Sequence, residues 1–498
     1  MAFRYSIGYT LLFGLLFMIS QYDVWLQLPP ASMHQWRQAD GASIAWHYAQ
    51  NLCIGEVQVN NLFYTGDNHA AGELPLLYWL SGLMTRSGLA PDYPLRWIGL
   101  FLLFGGGWAF GWMVLTLTGL PLVAALSAGL LLTSPVLSYY GPGFLPDAPA
   151  FCFVLIMAAC VLQAERRQSG RWLGAGAFFA ALAIALKLSM ALLPLALAGA
   201  WALGRYRGQW PAGSIWNGNS PLWALAGGTG VILVFFWRLA LYNSQHQAIY
   251  FLRSTRPVWN YDGAFIRETL YAIGVAGVPA FASVGLYLAG LASLWLWIKH
   301  WKSTPVMARN TLVFAALGGL AYSLLWFRML REHDYYLICL LAIPVILLLN
   351  GYRLAASRHP LQGLPYALGV CLLIGGWHNR YILSERLRLA FHPQNSLSLP
   401  PDAFLAPGRL EAAGVPEAAR VLCPQDPSPN IALLALQRHG WTAYNFGDRI
   451  NADTLHKYQT RFGLTHLALR DTAWYSPLYR QFFPVRDGET QGWFVFSR

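Results

Sequence analysis

Apolar stretches of about 15 to 25 residues recur through the first three quarters of the chain, each long enough to cross a hydrocarbon core of about 30 Å at 1.5 Å per residue. The pattern predicts spans at Tyr5–Tyr22, Trp97–Leu117, Leu122–Tyr140, Ala148–Ala164, Trp172–Leu186, Met190–Leu203, Leu222–Leu241, Tyr271–Ile298, Thr311–Phe327, Tyr335–Leu349 and Pro365–Trp377. The fold class expected is an all-α polytopic membrane body with about 11 to 13 transmembrane helices. The stretch Leu74–Leu83 is apolar but short, is bounded by Glu73 and Arg86, and reads as an interfacial or re-entrant helix.

After Asn379 the pattern changes. Apolar runs shorten, Pro and Asp appear, and VLCP, PNIALLALQRHG, LTHLALR and GWFVFSR read as strand, helix, strand and strand. The expected organisation is a membrane body over residues 1–383 and a small α/β domain outside the membrane over residues 384–498, entered through the linker SLSLPPDAFLAPG.

Composition narrows the class. The 498 residues are 56% hydrophobic and only 11% charged, whereas a soluble domain carries about 25% charged residues; soluble and disordered classes are excluded. The net charge of +12 would raise nucleic acid as a partner in a soluble protein. Here the basic residues lie mostly between apolar runs, where topology and anionic lipid head groups account for them, so the bilayer is the expected partner and nucleic acid is not.

If Leu74–Leu83 does not cross, the clusters Arg166/Arg167/Arg171, Arg205/Arg207, Lys299/Lys302/Arg309 and Arg353/Arg358 share the side of Arg4, which the positive-inside rule makes cytoplasmic. Residues 25–96, 141–147, 243–268, 328–334 and those after His378 then face outward from the inner (plasma) membrane. The N-terminus reads as a retained first span, because its apolar stretch lacks an A-x-A cleavage site. Six cysteines without a C-x-x-C pair give no disulfide framework or zinc motif.

Polar residues in so apolar a chain form a short list. The segment His34-Gln35-Trp36-Arg37-Gln38-Ala39-Asp40 places basic and acidic groups just outside the first span; it reads either as a polar loop with a helix cap at Asp40 or as a functional cluster. Glu73 opens the short apolar helix, and Asp147 follows Pro146 before another. Both positions suit the positive end of a helix dipole, and both fall on the same predicted face as Asp40.

Lys187 interrupts an apolar run near a predicted outer turn, where it either snorkels or meets a lipid phosphate. Arg253 and Arg256, with Arg328, Arg331, His333 and Tyr335 further on, add cations and rings to that face. Such arginine forks match a phosphate or pyrophosphate. No H-E-x-x-H, P-loop or G-x-G-x-x-G opening a helix occurs; a divalent metal ion on Glu73, Asp147 and a histidine stays open, and a nucleotide is not expected.

With these residues in view, the chain resembles the GT-C membrane glycosyltransferases, in the branch of protein O-mannosyltransferases and the lipid A aminoarabinose transferase. The resemblance is carried by His34 to Asp40, by Gly72-Glu73-x-Pro75 with Tyr78-Trp79, by Pro146-Asp147, by Ala185-Leu186-Lys187 and by His333-Asp334-Tyr335-Tyr336. It implies a polyprenyl-phosphate sugar donor, inversion at the anomeric carbon, and an outward-facing acceptor that is a lipid, glycan or protein. It also implies an acidic residue near the acceptor in the first outer loop, here Asp40. The chain departs from the pattern with Ala39-Asp40-Gly41 where many members have Asp-Glu, and with Glu73-Leu74-Pro75 where the aminoarabinose transferase has Glu-Lys-Pro.

The residues expected to act are Asp40, Glu73 and Asp147 in catalysis, with His34, Arg37, Lys187, Arg253, Arg256, Arg331, His333 and Tyr335 in substrate binding. The alternative from another class is a polytopic transporter or lipid flippase, against which the absence of a visible internal repeat counts.

Overall fold

The computed structural model describes residues 1–88, 93–251, 255–358, 361–393, 398–447 and 450–498. It divides into two compact units. One comprises Met1–Val24, Arg96–Arg238 and Arg253–Ser384; the other comprises Trp25–Leu95, Leu239–Leu252 and Glu385–Arg498.

The first unit is helical. Among the described residues of the whole chain, eight helices are long and apolar enough to cross a membrane: Ala2–Ile19, Pro94–Thr118, Asp147–Arg167, Leu188–Tyr206, Ser220–Gln245, Gly263–Phe281, Val306–Leu325 and Asp334–Ser357. Three shorter apolar helices, Pro121–Leu132, Gly170–Leu186 and Val284–Lys299, join them. Small residues let the helices close up, as packing in an apolar solvent requires. The hydroxyls of Tyr5 and Tyr9 donate to the carbonyls of Trp108 (2.6 Å) and Phe104 (2.8 Å), and a side chain at Gly107 or Gly111 would collide with those hydroxyls.

Two predicted spans are each broken into separate helices: Leu122–Tyr140 divides at Thr133 and Ser134 into Pro121–Leu132 and Pro135–Tyr140, where Pro135 at the first helical position starts the new helix. The run Tyr271–Ile298 is broken at Ala282 and Ser283, both extended (φ −142°, ψ 148° and φ −69°, ψ 156°). The Ser283 hydroxyl accepts the Leu286 N–H (3.2 Å), starting a new helix at Val284, and exchanges a hydrogen bond with Thr133 (2.7 Å). Serine competes for backbone N–H groups at a helix start, yet Ala-Ser scarcely lowers local hydropathy, so an apolar window runs straight across the break.

The second unit is built from three distant pieces of chain. Its core is a five-stranded sheet of β1 (Arg420–Cys423), β2 (His439–Thr442), β3 (His466–Leu469), β4 (Val485–Thr490) and β5 (Trp493–Ser497), in the order β2-β1-β3-β5-β4. β1 runs parallel to β2 and β3, while β5 is antiparallel to β3 and β4. The helix Ile431–Leu436 ends where Gln437 turns left-handed (φ 52°), so the segment expected to be helical through Gly440 ends in the first two residues of β2. The polar β4, VRDGET, offered no alternating pattern to find.

Residues of the first loop join this sheet at its β2 edge. Asn61 bridges to Gly440, the Leu62 N–H donates to the Gly440 carbonyl (2.9 Å), and the Trp441 indole donates to Phe63 (2.8 Å). Leu74–Leu83 becomes part of the 11-residue helix Leu76–Arg86, about 16 Å long and too short to cross about 30 Å. It packs so closely on the Gln35–Gln50 helix that a side chain at Gly82 would meet the Tyr48 backbone.

The approach of Val284–Lys299 to Leu364–Phe391 makes a direct test. A Cβ on Gly285 would run into the Cys371 carbonyl, whereas one on Gly369 meets nothing within 4 Å. Gly285→Ala should therefore destabilise the solubilised protein by about 1–3 kcal/mol, read as a lowered thermal midpoint, while Gly369→Ala leaves the midpoint near that of the unsubstituted chain.

Candidate active site

In the second unit the Gln35–Gln50 helix starts from His34, whose backbone is left-handed (φ 56°). Two glutamines fasten this start. The Gln35 amide donates to the Pro30 and Leu399 carbonyls (2.7 Å each) and accepts the Leu399 N–H (2.7 Å); the Gln38 amide donates to Ala31 (2.7 Å) and Met33 (2.8 Å). Trp36, Arg37 and Asp40 then fall on one helix face, at spacings of three and four residues.

Asp40 is buried, with 1% of its surface exposed. The Tyr250 hydroxyl donates to its Oδ2 (2.9 Å) while accepting the Trp36 indole N–H (2.6 Å), and the Asn430 amide donates to its Oδ1 (2.9 Å). Arg37 lies between two carboxylates: one guanidinium nitrogen is 3.8 Å from Asp40 Oδ2, and another makes a close ion pair with Glu73. The Tyr78 hydroxyl donates to the same Glu73 oxygen (2.7 Å).

Burial pushes the Asp40 carboxyl up to about 6, against the opposing pull of Arg37, Asn430 and Tyr250; Glu73 adds a smaller upward push. A carboxylate poised near neutrality can accept a proton from a substrate and release it again.

In the first unit Asp147 is the first residue of the helix Asp147–Arg167 and is fully buried, at the positive end of the helix dipole. Lys187 reaches it, Nζ to Oδ2 3.3 Å. The helix Gly170–Leu186 stops where Lys187 becomes extended (φ −157°, ψ 112°), which frees its side chain to turn inward. Its ammonium lies 5.4 Å from each of the Tyr335 and Tyr336 ring centres, a cation–π arrangement. Tyr335 stacks on His333 (5.3 Å), and neighbouring Asp334 accepts the Tyr140 hydroxyl (2.5 Å).

Asp40, Arg37 and Glu73 thus meet in one unit, and Asp147, Lys187, Tyr335 and His333 are linked in the other. The remaining cations behave differently. Arg331 pairs with Glu268 (2.6 Å) over the Phe265 ring, and Arg328 pairs with Glu332 (2.5 Å). Arg256 is exposed and is held through its backbone N–H to Leu325 (3.2 Å); Arg253 lies outside the described residues. Of the carboxylates weighed for a metal, Glu73 meets the cation Arg37 and Asp147 the cation Lys187. Tyr250 and Asn430 were not anticipated: they lie 210 and 390 positions from Asp40, and no local pattern marks either.

Comparison with known proteins bears on the fold. Residues 75–236 match the family model described as dolichyl-phosphate-mannose-protein mannosyltransferase. None of the curated proteins matches the chain in sequence. ArnT from Cupriavidus metallidurans in the apo state superposes with a TM-score of 0.60 at 13% identity, covering 99% of this chain and 98% of ArnT. The same protein bound to undecaprenyl phosphate gives 0.61 at 12% identity, covering 98% and 97%. The oligosaccharyltransferase AglB from Archaeoglobus fulgidus, in complex with an inhibitory peptide and a dolichol-phosphate, gives 0.50 at 11% identity, covering 93% of this chain and 70% of AglB. The chain has the GT-C fold, as its motifs led one to expect.

The Asp40 environment predicts a spectroscopic titration. A protonated-carboxyl C=O infrared band should appear as pH falls through about 6 and be missing in Asp40→Asn. Tyr250→Phe removes a donor that favours the charged form, so its midpoint should move to higher pH; an unchanged midpoint would show that this hydrogen bond does not tune Asp40.

Proposed function

We propose that this GT-C-fold chain is an integral-membrane glycosyltransferase that moves a sugar from a polyprenyl-phosphate carrier to an acceptor hydroxyl outside the cytoplasm, with inversion at the anomeric carbon. Two findings support the reading: the match of residues 75–236 to the mannosyltransferase family model and the fold shared with ArnT, a protein whose structure has been solved with undecaprenyl phosphate bound. Both favour transfer over the transporter reading. The observation that carries the mechanism is Asp40, buried, held by O–H and N–H donors and titrating close to neutrality.

A sugar hydroxyl is a weak nucleophile at neutral pH, so a carboxylate must take its proton as the new bond forms. Each Asp40 oxygen accepts one side-chain hydrogen bond and keeps a second lone pair for that proton. Because Asp40 is nearly sealed, its surroundings must open for an acceptor hydroxyl to reach it. The acceptor oxygen attacks the anomeric carbon, the bond from that carbon to the carrier phosphate breaks, and the proton passes to Asp40. Arg37 balances the charge that Asp40 and Glu73 share.

The carrier phosphate leaves with negative charge, which calls for a preplaced cation. Lys187 supplies it, oriented by Asp147 and by the Tyr335 and Tyr336 rings, with Arg256 and Arg331 as further cations and a groove between spans for the prenyl tail. The active site faces the periplasm or exterior of the inner membrane, and residues 384–498 help select the acceptor.

Asp40→Asn should lower transfer by about 100- to 10,000-fold in membranes with unchanged expression; near-normal turnover would remove Asp40 from the role of base. Since the base acts ionised, kcat/KM should rise with pH through about 6 and level off above it. Lys187→Ala should weaken binding of the polyprenyl-phosphate donor, measured by titration into the solubilised protein; unchanged affinity would sink the phosphate contact.

A further inference from the structure

A second polar cluster of the second unit plays no part in the transfer chemistry. Asp67, His69 and His246 bring one ligand atom each to within 4.8 Å of one another. His69 Nδ1 is 2.5 Å from Asp67 Oδ1 and His246 Nδ1 is 2.9 Å from Asp67 Oδ2. The two imidazoles stack at 4.1 Å with an interplanar angle of 23°. All three side chains are partly exposed, at 17%, 26% and 32% for His69, His246 and Asp67, which leaves an entry path from solvent.

The surroundings fix the ring that would have to be fixed. The far nitrogen of His69, Nε2, meets Glu56 (2.9 Å) and Gln58 (2.8 Å). A carboxylate on the nitrogen opposite the ligating one is the outer shell that orients metal-binding histidines. The Asp67 carboxylate is held by the His69 backbone N–H (2.9 Å). The two strands of chain are also joined on either side of the cluster: Tyr242 exchanges hydrogen bonds with the Val57 backbone (2.8 and 3.1 Å), and the Asn243 amide does so with Ala71 (3.1 and 2.8 Å).

We infer that Asp67, His69 and His246 form a binding site for a first-row divalent cation of the zinc class. Two imidazole nitrogens and one carboxylate oxygen suit such an ion, whereas magnesium and calcium prefer oxygen alone. Zinc bonds of about 2.0–2.1 Å set tetrahedral ligand atoms about 3.3 Å apart, so on binding the Asp67 contacts open by less than about 1 Å, the stacked rings turn to aim both in-plane lone pairs at the ion, and water completes the shell. The ion ties the loop of residues 56–69 to the chain just beyond Gln245.

The test uses the full-length protein in detergent, stripped with chelator, with Cys53→Ser removing the exposed thiol as a rival ligand. Zinc chloride titrated by calorimetry should bind one equivalent per chain and raise the thermal midpoint, and magnesium should do neither. His69→Ala and His246→Gln should each abolish that equivalent, and Glu56→Gln should weaken it by about 10- to 100-fold. Circular dichroism checks that each variant is folded, and His246→Gln, at a partly exposed position, stands in if His69→Ala fails. Zinc binding that survives His246→Gln at full affinity, or no binding to the parent chain, would overturn the inference in favour of a metal-free hydrogen-bonded His–Asp–His network.

Discussion

Arg37 is shared by two carboxylates, and much of the second unit is arranged around that sharing. Asp40 lies within the Gln35–Gln50 helix and Glu73 in the bend before the Leu76–Arg86 helix, and neither carboxylate is well hydrated. Burial is the main cause of the raised proton affinity of Asp40; the shared Arg37 pulls it down, and Glu73 adds only a smaller upward push. Donors that cannot themselves take up its proton, the Tyr250 hydroxyl and the Asn430 amide, keep it from being pushed further.

Those donors explain why the unit is assembled from distant pieces of chain. The helix bearing Arg37 and Asp40 cannot supply a hydroxyl and an amide on both sides of its own carboxylate. The supply comes from residues 239–252 and from the polar turn before the Ile431–Leu436 helix, which are brought in by the sheet edge at Gly440 and by the pairings of Tyr242 and Asn243 with the first loop. The Asp147–Lys187 pair of the first unit follows the same physics more simply: a buried carboxylate at a helix start, one ammonium, and two aromatic faces that lower the cost of keeping that ammonium away from water.

The helical body was legible because membrane burial demands long apolar runs, and hydropathy reports those directly. Its errors came where backbone chemistry acts without changing hydropathy. Ser283 caps a new helix inside an apolar run, and Gln437 ends one in a left-handed turn. The C-terminal sheet was half visible: β1, β3 and β5 carry apolar residues, whereas the polar edge strand β4 and the brief β2 depend on neighbours for their pairing.

The amino-acid sequence by itself determined that the chain lives in a bilayer, which charged side chains are available there, and that His34 to Asp40, Glu73, Asp147 and Lys187 stand out as expensive exceptions; composition and local spacing are enough for that. Only the tertiary structure decided who meets whom. It joined Arg37 to Glu73, Lys187 to Asp147, Tyr250 and Asn430 to Asp40, and His69 to His246 across more than 170 positions. A buried charge takes its proton affinity from the groups within a few ångströms of it, and chain distance carries no record of which groups those are.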